Sequence, residues 1–246
     1  MSYFVTGTDT GVGKTLIACA LLHAFAAQGK RVVGMKPVAA GGSPRSSGEP
    51  TDALLAGAAG FDADGINADV QALAAASNVT ASFAQINPYA FAHPVAPHIA
   101  ARKAGVHVEF ARILTAYGEL AAQSEVVVIE GVGGFHVPLN DTQDSADLAV
   151  QLGLPVILVV GMRLGCLNHA LLTARAIEDC GLNCAGWVAN VLDADMAALH
   201  DNIVALQQRL NARLLGVVEY QARPDARLAA MRLNLGILDG TETNDA

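Results

Sequence analysis

Nine residues near the amino terminus, Gly7-Thr8-Asp9-Thr10-Gly11-Val12-Gly13-Lys14-Thr15, stand between an apolar stretch at 3–5 and an apolar, Ala/Leu-rich stretch at 16–27. A strand that turns through glycines directly into a helix lets consecutive backbone N–H groups face inward at the positive end of the helix dipole, and so forms a cradle for phosphate. Lys14 is placed to reach the outer phosphates, and the Thr15 hydroxyl to ligate magnesium. The spacing GxxxxGK[ST] would put its first glycine at position 8, where the chain has Thr8; the glycine is Gly7, so the loop is a variant of that pattern. The flanking strand and helix supply the context that a bare pattern lacks, and the loop reads as a nucleoside triphosphate site. The competing reading is a glycine-rich turn with a solvated lysine.

Beyond the loop, short apolar runs bounded by glycine, proline or polar residues alternate with Ala/Leu-rich helical stretches, the pattern of a parallel, doubly wound α/β sheet with helices on both faces. The expected strands are residues 3–6, 31–36, 125–130, 155–160, 184–190 and 214–218. Most are continuous apolar runs, as strands covered on both faces require. One domain is expected over 1–246, with a mobile Gly/Ser/Pro-rich loop at 41–50, Ala-rich helices over 51–82 broken near 61–65, and a disordered tail from 239.

The composition restricts the function classes. A chain of 246 residues can bury a core without covalent staples. Its net charge of −8 argues against a protein that lives on nucleic acid or an anionic membrane surface, although loop amides can still hold a local anion. Cys19, Cys166, Cys180 and Cys184 show neither a disulfide framework nor zinc spacing. The chain opens on strand and cradle with no basic-then-apolar leader, and its longest apolar run is too short to span a bilayer, so a cytoplasmic location is expected.

Ligands of parallel sheets sit beyond the carboxyl ends of the strands. There the sequence places the cradle, Lys36-Pro37, Glu130-Gly131-Val132-Gly133-Gly134, Gly161 and Asn190. Glu130 closes Val126-Val127-Val128-Ile129, the position of a carboxylate that holds magnesium or its water; a strand-end glutamate is the plainer alternative. Asp52, ahead of an Ala/Leu run, is equally a magnesium ligand or a helix cap. Lys36 would sit near a second lysine, an arrangement that an anion between them relieves; a solvated strand-end lysine is the alternative. His93 and His98 lack ligand spacing and read as structural, while Asp141, Asp144 and Asp147 lack the glycine and distal glutamate of a calcium loop and read as turn and cap residues.

Longer strings, in order, carry a resemblance over most of the chain: Phe4-Val5-Thr6-Gly7-Thr8-Asp9-Thr10 running into Gly13-Lys14-Thr15, Lys36-Pro37-Val38-Ala39, Asn87-Pro88-Tyr89, Pro97-His98, Glu130-Gly131-Val132-Gly133-Gly134, Leu164-Gly165-Cys166-Leu167-Asn168-His169, and Gly186-Trp187-Val188-Ala189-Asn190. With these the chain resembles the dethiobiotin synthetases, ATP-dependent ring-closing ligases of biotin synthesis. The resemblance implies a P-loop NTPase-like fold, ATP as co-substrate, Mg2+, and a homodimer whose active site is shared across the interface. It implies that 7,8-diaminopelargonic acid and CO2 form a carbamate that ATP phosphorylates, after which the second amine closes a cyclic urea.

Carried over by position, Lys36 would stabilise the carbamate and its phosphorylated form, and Lys14 would bridge substrate and transferring phosphate. Thr15, Asp52 and Glu130 would surround magnesium. The triphosphate would be lined by Gly11, Val12, Gly13, Lys14, Thr15 and Leu16 with Glu130, Gly131, Val132 and Gly133. Asn190 would bond adenine, with backbone contacts from Glu219, Tyr220 and Gln221. Thr10 would lie near the diamine, and Gly165, Cys166, Leu167 and Asn168 would meet the substrate carboxylate from the neighbouring subunit; Asn168 is equally readable as a helix cap. Three departures stand out: Ala40 replaces a common serine, with Ser43 as its possible substitute, the strip between Asp52 and Asn87 is longer than usual, and Glu219-Tyr220-Gln221 replaces a proline-containing turn. A partitioning or regulatory ATPase with a deviant P-loop is the rival reading; it would carry a lysine early in the loop, where this chain has Asp9. A cobyrinate-type amidotransferase would need a further domain, and an inert nucleotide-binding module would not require Lys36.

Overall fold

The computed structural model describes residues 1–41 and 67–238. Its strands are β1 (Ser2–Gly7), β2 (Val32–Met35), β3 (Val38–Ala40), β4 (Tyr89–Phe91), β5 (Val126–Glu130), β6 (Val156–Met162), β7 (Cys184–Val191) and β8 (Leu214–Val218). The α-helices are α1 (Lys14–Ala27), α2 (Ala68–Ala76), α3 (Phe83–Ile86), α4 (Pro97–Lys103), α5 (Phe110–Gln123), α6 (Ser145–Leu152), α7 (Cys166–Asp179), α8 (Leu199–Gln207) and α9 (Ala226–Ala230). Six strands form one sheet in the order β2-β5-β1-β6-β7-β8, every pairing parallel. All six expected strands are present, and the sheet is the α/β fold expected of a P-loop NTPase.

Alternation along each strand sends neighbours to opposite layers. Tyr3, Val5, Val126, Val128, Ile157 and Val159 face α1, whose Ile17, Leu21 and Phe25 fill that side together with Leu73 of α2 and Ala229 of α9. Phe4, Val127 and Ile129 face the other way, against Ile113 and Leu120 of α5 and Leu148 of α6. Farther along that face Leu158, Val160 and Trp187 meet Ala170 of α7 and Leu206 of α8. Burial on both faces explains why the strands read as unbroken apolar runs. The four cysteines are free thiols, and no helix among the described residues is long and apolar enough to cross a membrane.

From β1 the chain crosses to β2 at one edge, returns through β5 beside β1, and continues outward through β6, β7 and β8 on the other side. The order therefore reverses around β1, and a crevice forms beyond the carboxyl ends of β1 and its neighbours. A small parallel sheet of β3 and β4, with Val38 opposite Tyr89, stands beside it. It was not among the expected strands, because three-residue strands carry no legible period. It places the Lys36-Pro37 and Asn87-Pro88 segments side by side. Of the loop expected at 41–50, residues 42–50 lie outside the described residues, as do the first part of the Ala-rich stretch and the tail from 239; the later part of that stretch forms α2.

β6 and β7 run past Gly161 and Asn190, so both residues sit within strand ends rather than beyond them. Gly161 has a packing role there: a Cβ on it would lie 2.7 Å from Leu192 Cδ1 and 2.9 Å from Val12 Cγ1. The glycine lets the phosphate loop settle onto the sheet. Gly161→Ala is expected to cost about 1–3 kcal/mol, the scale of overpacking a filled site, and to lower the melting temperature and weaken nucleotide binding together. Unchanged values of both in thermal denaturation and calorimetry would refute this account of the packing.

Candidate active site

The turn from β1 into α1 is built around glycines. Gly13 is the N-cap of α1 with φ 90°, no side chain caps the helix, and its first turn holds no acid. The first amides are thus open to an anion at the positive end of the dipole. A Cβ on Gly13 would collide with the side-chain amide of Asn190. Asn190 is buried and donates from Nδ2 to the Val12 carbonyl at 2.8 Å, pinning the loop to β7. At Gly7 a Cβ would sit 2.6 Å from Val12 Cγ2 and 3.0 Å from Lys14 Cγ, so the loop folds closely back over that residue. That contact gives position 7 a packing reason to be glycine.

Lys14 is buried and donates from Nζ to the Asp9 carbonyl at 2.9 Å. Burial, reinforced by the nearby Lys36 charge, pulls its pKa down to about 8. Asp9 accepts from the Thr10 N–H at 2.7 Å and from Arg163 Nη2 at 2.6 Å, which ties the loop to the segment leading into α7. The Thr10 amide holds the Asp9 carboxyl below its usual range; burial opposes it, and Arg163 adds to the lowering.

Beside the loop lies an ionic cluster. Lys36 Nζ is 2.6 Å from Glu130 Oε1 and 2.8 Å from Asp69 Oδ2, and the Thr15 hydroxyl donates to Glu130 Oε1 at 2.8 Å. Burial pushes the Glu130 carboxyl up, with Lys36 opposing it. Burial alone would lower Lys36, but the two carboxylates outweigh it and its pKa is raised. Asp69, raised by burial, is brought below its usual value by Lys36 and by a Thr15 hydrogen bond.

The fold places each partner of the cluster. Glu130 is the last residue of β5, and Lys36 follows β2. The Lys36 N–H donates to the Ile86 carbonyl at 2.8 Å, while Asn87 Nδ2 donates to the carbonyls of Lys36 at 2.6 Å and Tyr89 at 3.0 Å. Asp69 lies in the first turn of α2, whose cap Asn67 accepts from the Asp69 N–H at 3.0 Å.

Asp69 is the main residue that sequence reasoning missed. Asp52, expected in this place, lies outside the described residues, and the carboxylate that meets Lys36 and Thr15 is Asp69. Thr51-Asp52 and Asn67-Ala68-Asp69 both read as cap-and-acid starts before an Ala-rich run. The usable signal was the unusual length of the strip, which the second start divides so that a shorter span precedes Asn87-Pro88-Tyr89.

These groups open on a cavity of about 760 Å³, lined by Thr10, Gly11, Gly13, Lys14, Thr15, Lys36, Asp69, Glu130, Val132 and Gly133 among others. Pro94, Val95, Pro97 and Val137 also line it, giving it a less polar side that the sequence had not assigned, and Ala40 and Asn67 lie on the lining with them. Val12, Leu16, Gly131 and Asn190 are not among its lining residues. Glu219, Tyr220 and Gln221 follow β8, and the pairing of Asn190 with Val218 sets that turn beside the end of β7. Glu219 faces Arg232 at 3.3 Å, and Gln221 accepts from the Asp225 N–H at 2.6 Å.

Gly165, Cys166, Leu167 and Asn168 start α7 and do not line this cavity. Gly165, with φ 94°, is the cap, so Asn168 is not. Asp144 does cap α6, in a reciprocal arrangement with Asp147. Ser43 lies outside the described residues.

A family model described as an AAA domain matches residues 1–226. The ATP-dependent dethiobiotin synthetase BioD of Nitrosospira multiformis is 52% identical over 225 residues, 92% of this chain and 91% of that protein. The protein of the same name from Aromatoleum aromaticum is 49% identical over 234 residues, 95% of this chain and 97% of that protein. The chain belongs to the dethiobiotin synthetase family. As a member of that family it is an ATP-dependent ligase.

Among solved structures, the septum site-determining protein MinD complexed with Mg-ADP from Pyrococcus horikoshii matches with TM-score 0.53 at 15% identity, covering 94% of this chain and 87% of that one. A ParA family ATPase from Chlorobium tepidum matches with TM-score 0.52 at 12% identity, covering 98% of each chain. At such identities these likenesses show the shared fold of this dethiobiotin synthetase family member and no more.

The pKa of Lys14 gives a signed expectation. Below about 8 the free protein already carries the Lys14 charge; above about 8 it does not, and a bound polyphosphate restores it by drawing in a proton. Between pH 8 and pH 9.5, ATP binding is therefore expected to take up protons and to weaken by up to about tenfold per pH unit. Calorimetry in buffers of different ionisation enthalpy reads both effects, and binding with no proton uptake and no pH dependence would contradict the assignment.

Proposed function

We propose that the chain carries out the ATP-dependent carboxylation and ring closure of 7,8-diaminopelargonic acid with CO2, giving dethiobiotin, ADP and phosphate in biotin synthesis. The observation that carries this reading is the position of Lys36, a second lysine set with Lys14 on one cavity wall beside an open phosphate loop. Phosphate binding alone accounts for Lys14 but gives no reason to bury another ammonium there.

One amine of the substrate adds to CO2 and loses a proton, forming a carbamate. A carbamate oxygen attacks the γ-phosphorus of ATP and ADP leaves; the second amine then attacks the carbamoyl carbon, phosphate departs with that oxygen, and the cyclic urea closes. Every nucleophile belongs to the substrate, so the protein's part is to position reactants and neutralise charge. Lys36 meets the carbamate and Lys14 the transferring phosphoryl group. The amides of Gly11, Val12, Gly13 and Leu16 hold the phosphates, with Val132 and Gly133 opposite. Asn190, its amide nitrogen engaged by Val12, offers its oxygen to the adenine amino group near the Glu219–Gln221 turn.

The cluster fits a magnesium ion. Thr15, Asp69 and Glu130 present hard oxygen donors, and the buried Glu130 Oε2 has no hydrogen-bond partner. When bound, magnesium would neutralise charge on the transferring phosphoryl group. We also propose a homodimer in which Gly165, Cys166, Leu167 and Asn168 reach the partner's substrate carboxylate. Leu164 and Leu172, 99% and 63% exposed beside that segment, support a second copy covering it.

ADP release from MgATP and bicarbonate, with and without 7,8-diaminopelargonic acid, tests the reading when dethiobiotin is scored by mass spectrometry. One dethiobiotin per ADP, dependent on the diamine, is the expected outcome. ADP formed without the diamine and without a cyclic urea would replace this reading with a regulatory ATPase. Lys36→Ala is expected to lose about 3–4 kcal/mol of transition-state stabilisation, a fall of about 10²–10³ in kcat at saturating nucleotide, as for removal of a preorganised charge-stabilising group. Wild-type turnover in that variant would remove Lys36 from the chemistry.

A further inference from the structure

Lys36 is held away from any substrate by its own neighbours. Its ammonium contacts Glu130 Oε1 at 2.6 Å and Asp69 Oδ2 at 2.8 Å, with the Lys36 and Glu130 side chains only 5% and 1% exposed. The same Glu130 oxygen accepts the Thr15 hydroxyl at 2.8 Å. One ammonium thus bridges one oxygen from each of the two carboxylates that suit a divalent cation, and those carboxylates, within hydrogen-bond distance, cancel the charge that a carbamate would need from it.

The two occupants exclude one another. A dication on the Asp69 and Glu130 oxygens would stand within a few ångströms of an ammonium bound to those oxygens, and their repulsion in a buried setting is large. Without either occupant, Asp69 and Glu130 would face each other as like charges, Glu130 fully desolvated.

We infer that Lys36 is a built-in counter-ion that exchanges with the divalent cation. In the metal-free protein its ammonium holds Asp69 and Glu130 together. When the cation takes those oxygens, the ammonium is expelled into the cavity it lines, where its charge becomes available to a bound anion. Loading of the metal thereby arms Lys36, and the substrate carbamate meets a competent lysine only after the metal is in place. This inference rests on the magnesium-dependent reading of the site.

The test is binding of Mn2+ alone to nucleotide-free protein, followed by the electron paramagnetic resonance of the free ion, together with melting curves in chelator and in Mn2+. Wild type is expected to bind Mn2+ weakly because its ammonium competes. Lys36→Met, which removes the competitor and keeps the bulk, is expected to bind at least about tenfold more tightly and to gain more in melting temperature from Mn2+ than wild type. Lys36→Arg, which keeps a charge, is expected to stay weak.

Equal or weaker Mn2+ binding by Lys36→Met would overturn the exchange. If that variant folds only with metal, recovery by refolding in Mn2+ supports the exchange, and failure to recover in Mn2+ overturns it. Since no substrate is present, the result stands apart from the ligase reading: dethiobiotin formation with no change in Mn2+ affinity removes the exchange alone, and tighter Mn2+ binding without dethiobiotin removes the ligase alone.

Discussion

The buried contact between Lys36 and Glu130, 2.6 Å long at the carboxyl edge of a parallel sheet, is the interaction on which the rest of the site depends. Removing two charges from water is expensive, and their attraction returns that cost only when the remaining donors and acceptors are also engaged. Thr15 engages the same Glu130 oxygen, and Asp69 engages the ammonium. Glu130 Oε2 is left without a partner, an unsatisfied buried acceptor that a folded protein ordinarily avoids. An incomplete set of this kind is costly for the fold and suited to receiving a ligand.

The same economy governs the phosphate loop. A chain of net charge −8 attracts no polyanion through its overall field. The attraction is local: open amides at the start of α1, the charge of Lys14, and a low-dielectric wall that strengthens both. The loop holds its shape through contacts on three sides, with Asn190 on the Val12 carbonyl, Arg163 on Asp9, and Gly161 admitting the Val12 side chain. A loop fixed before its ligand arrives loses little entropy on binding, which is the benefit of preorganisation.

The legible and illegible parts of the chain divide along physical lines. The strands of the large sheet were visible because burial on both faces of most of them forces apolar runs, and Glu130 because a carboxylate at the end of such a run breaks it abruptly. β3 and β4 were invisible, being three residues each and stabilised by mutual pairing. Asp69 was missed, because an acid in the first turn of a helix has the same local sequence whether it caps, binds a cation or faces solvent. The roles of Pro94, Val95 and Val137 in lining the cavity had no local signature, since an apolar residue on a loop reads alike on a wall and on the surface.

The sequence alone determined the layered parallel sheet, the phosphate loop with Lys14 and Thr15, and the strand-end positions of Lys36, Glu130 and Asn190, because each follows from periodicity, glycine geometry or the end of an apolar run. Only the tertiary structure decided that Asp69 meets Lys36, that Asn190 pins Val12 while the start of α7 stands apart from the cavity, and that one ammonium bridges two carboxylates. Those facts depend on distances between residues 33 to 178 positions apart in the chain. Local physics fixes what each segment can become, and only packing fixes which segments meet.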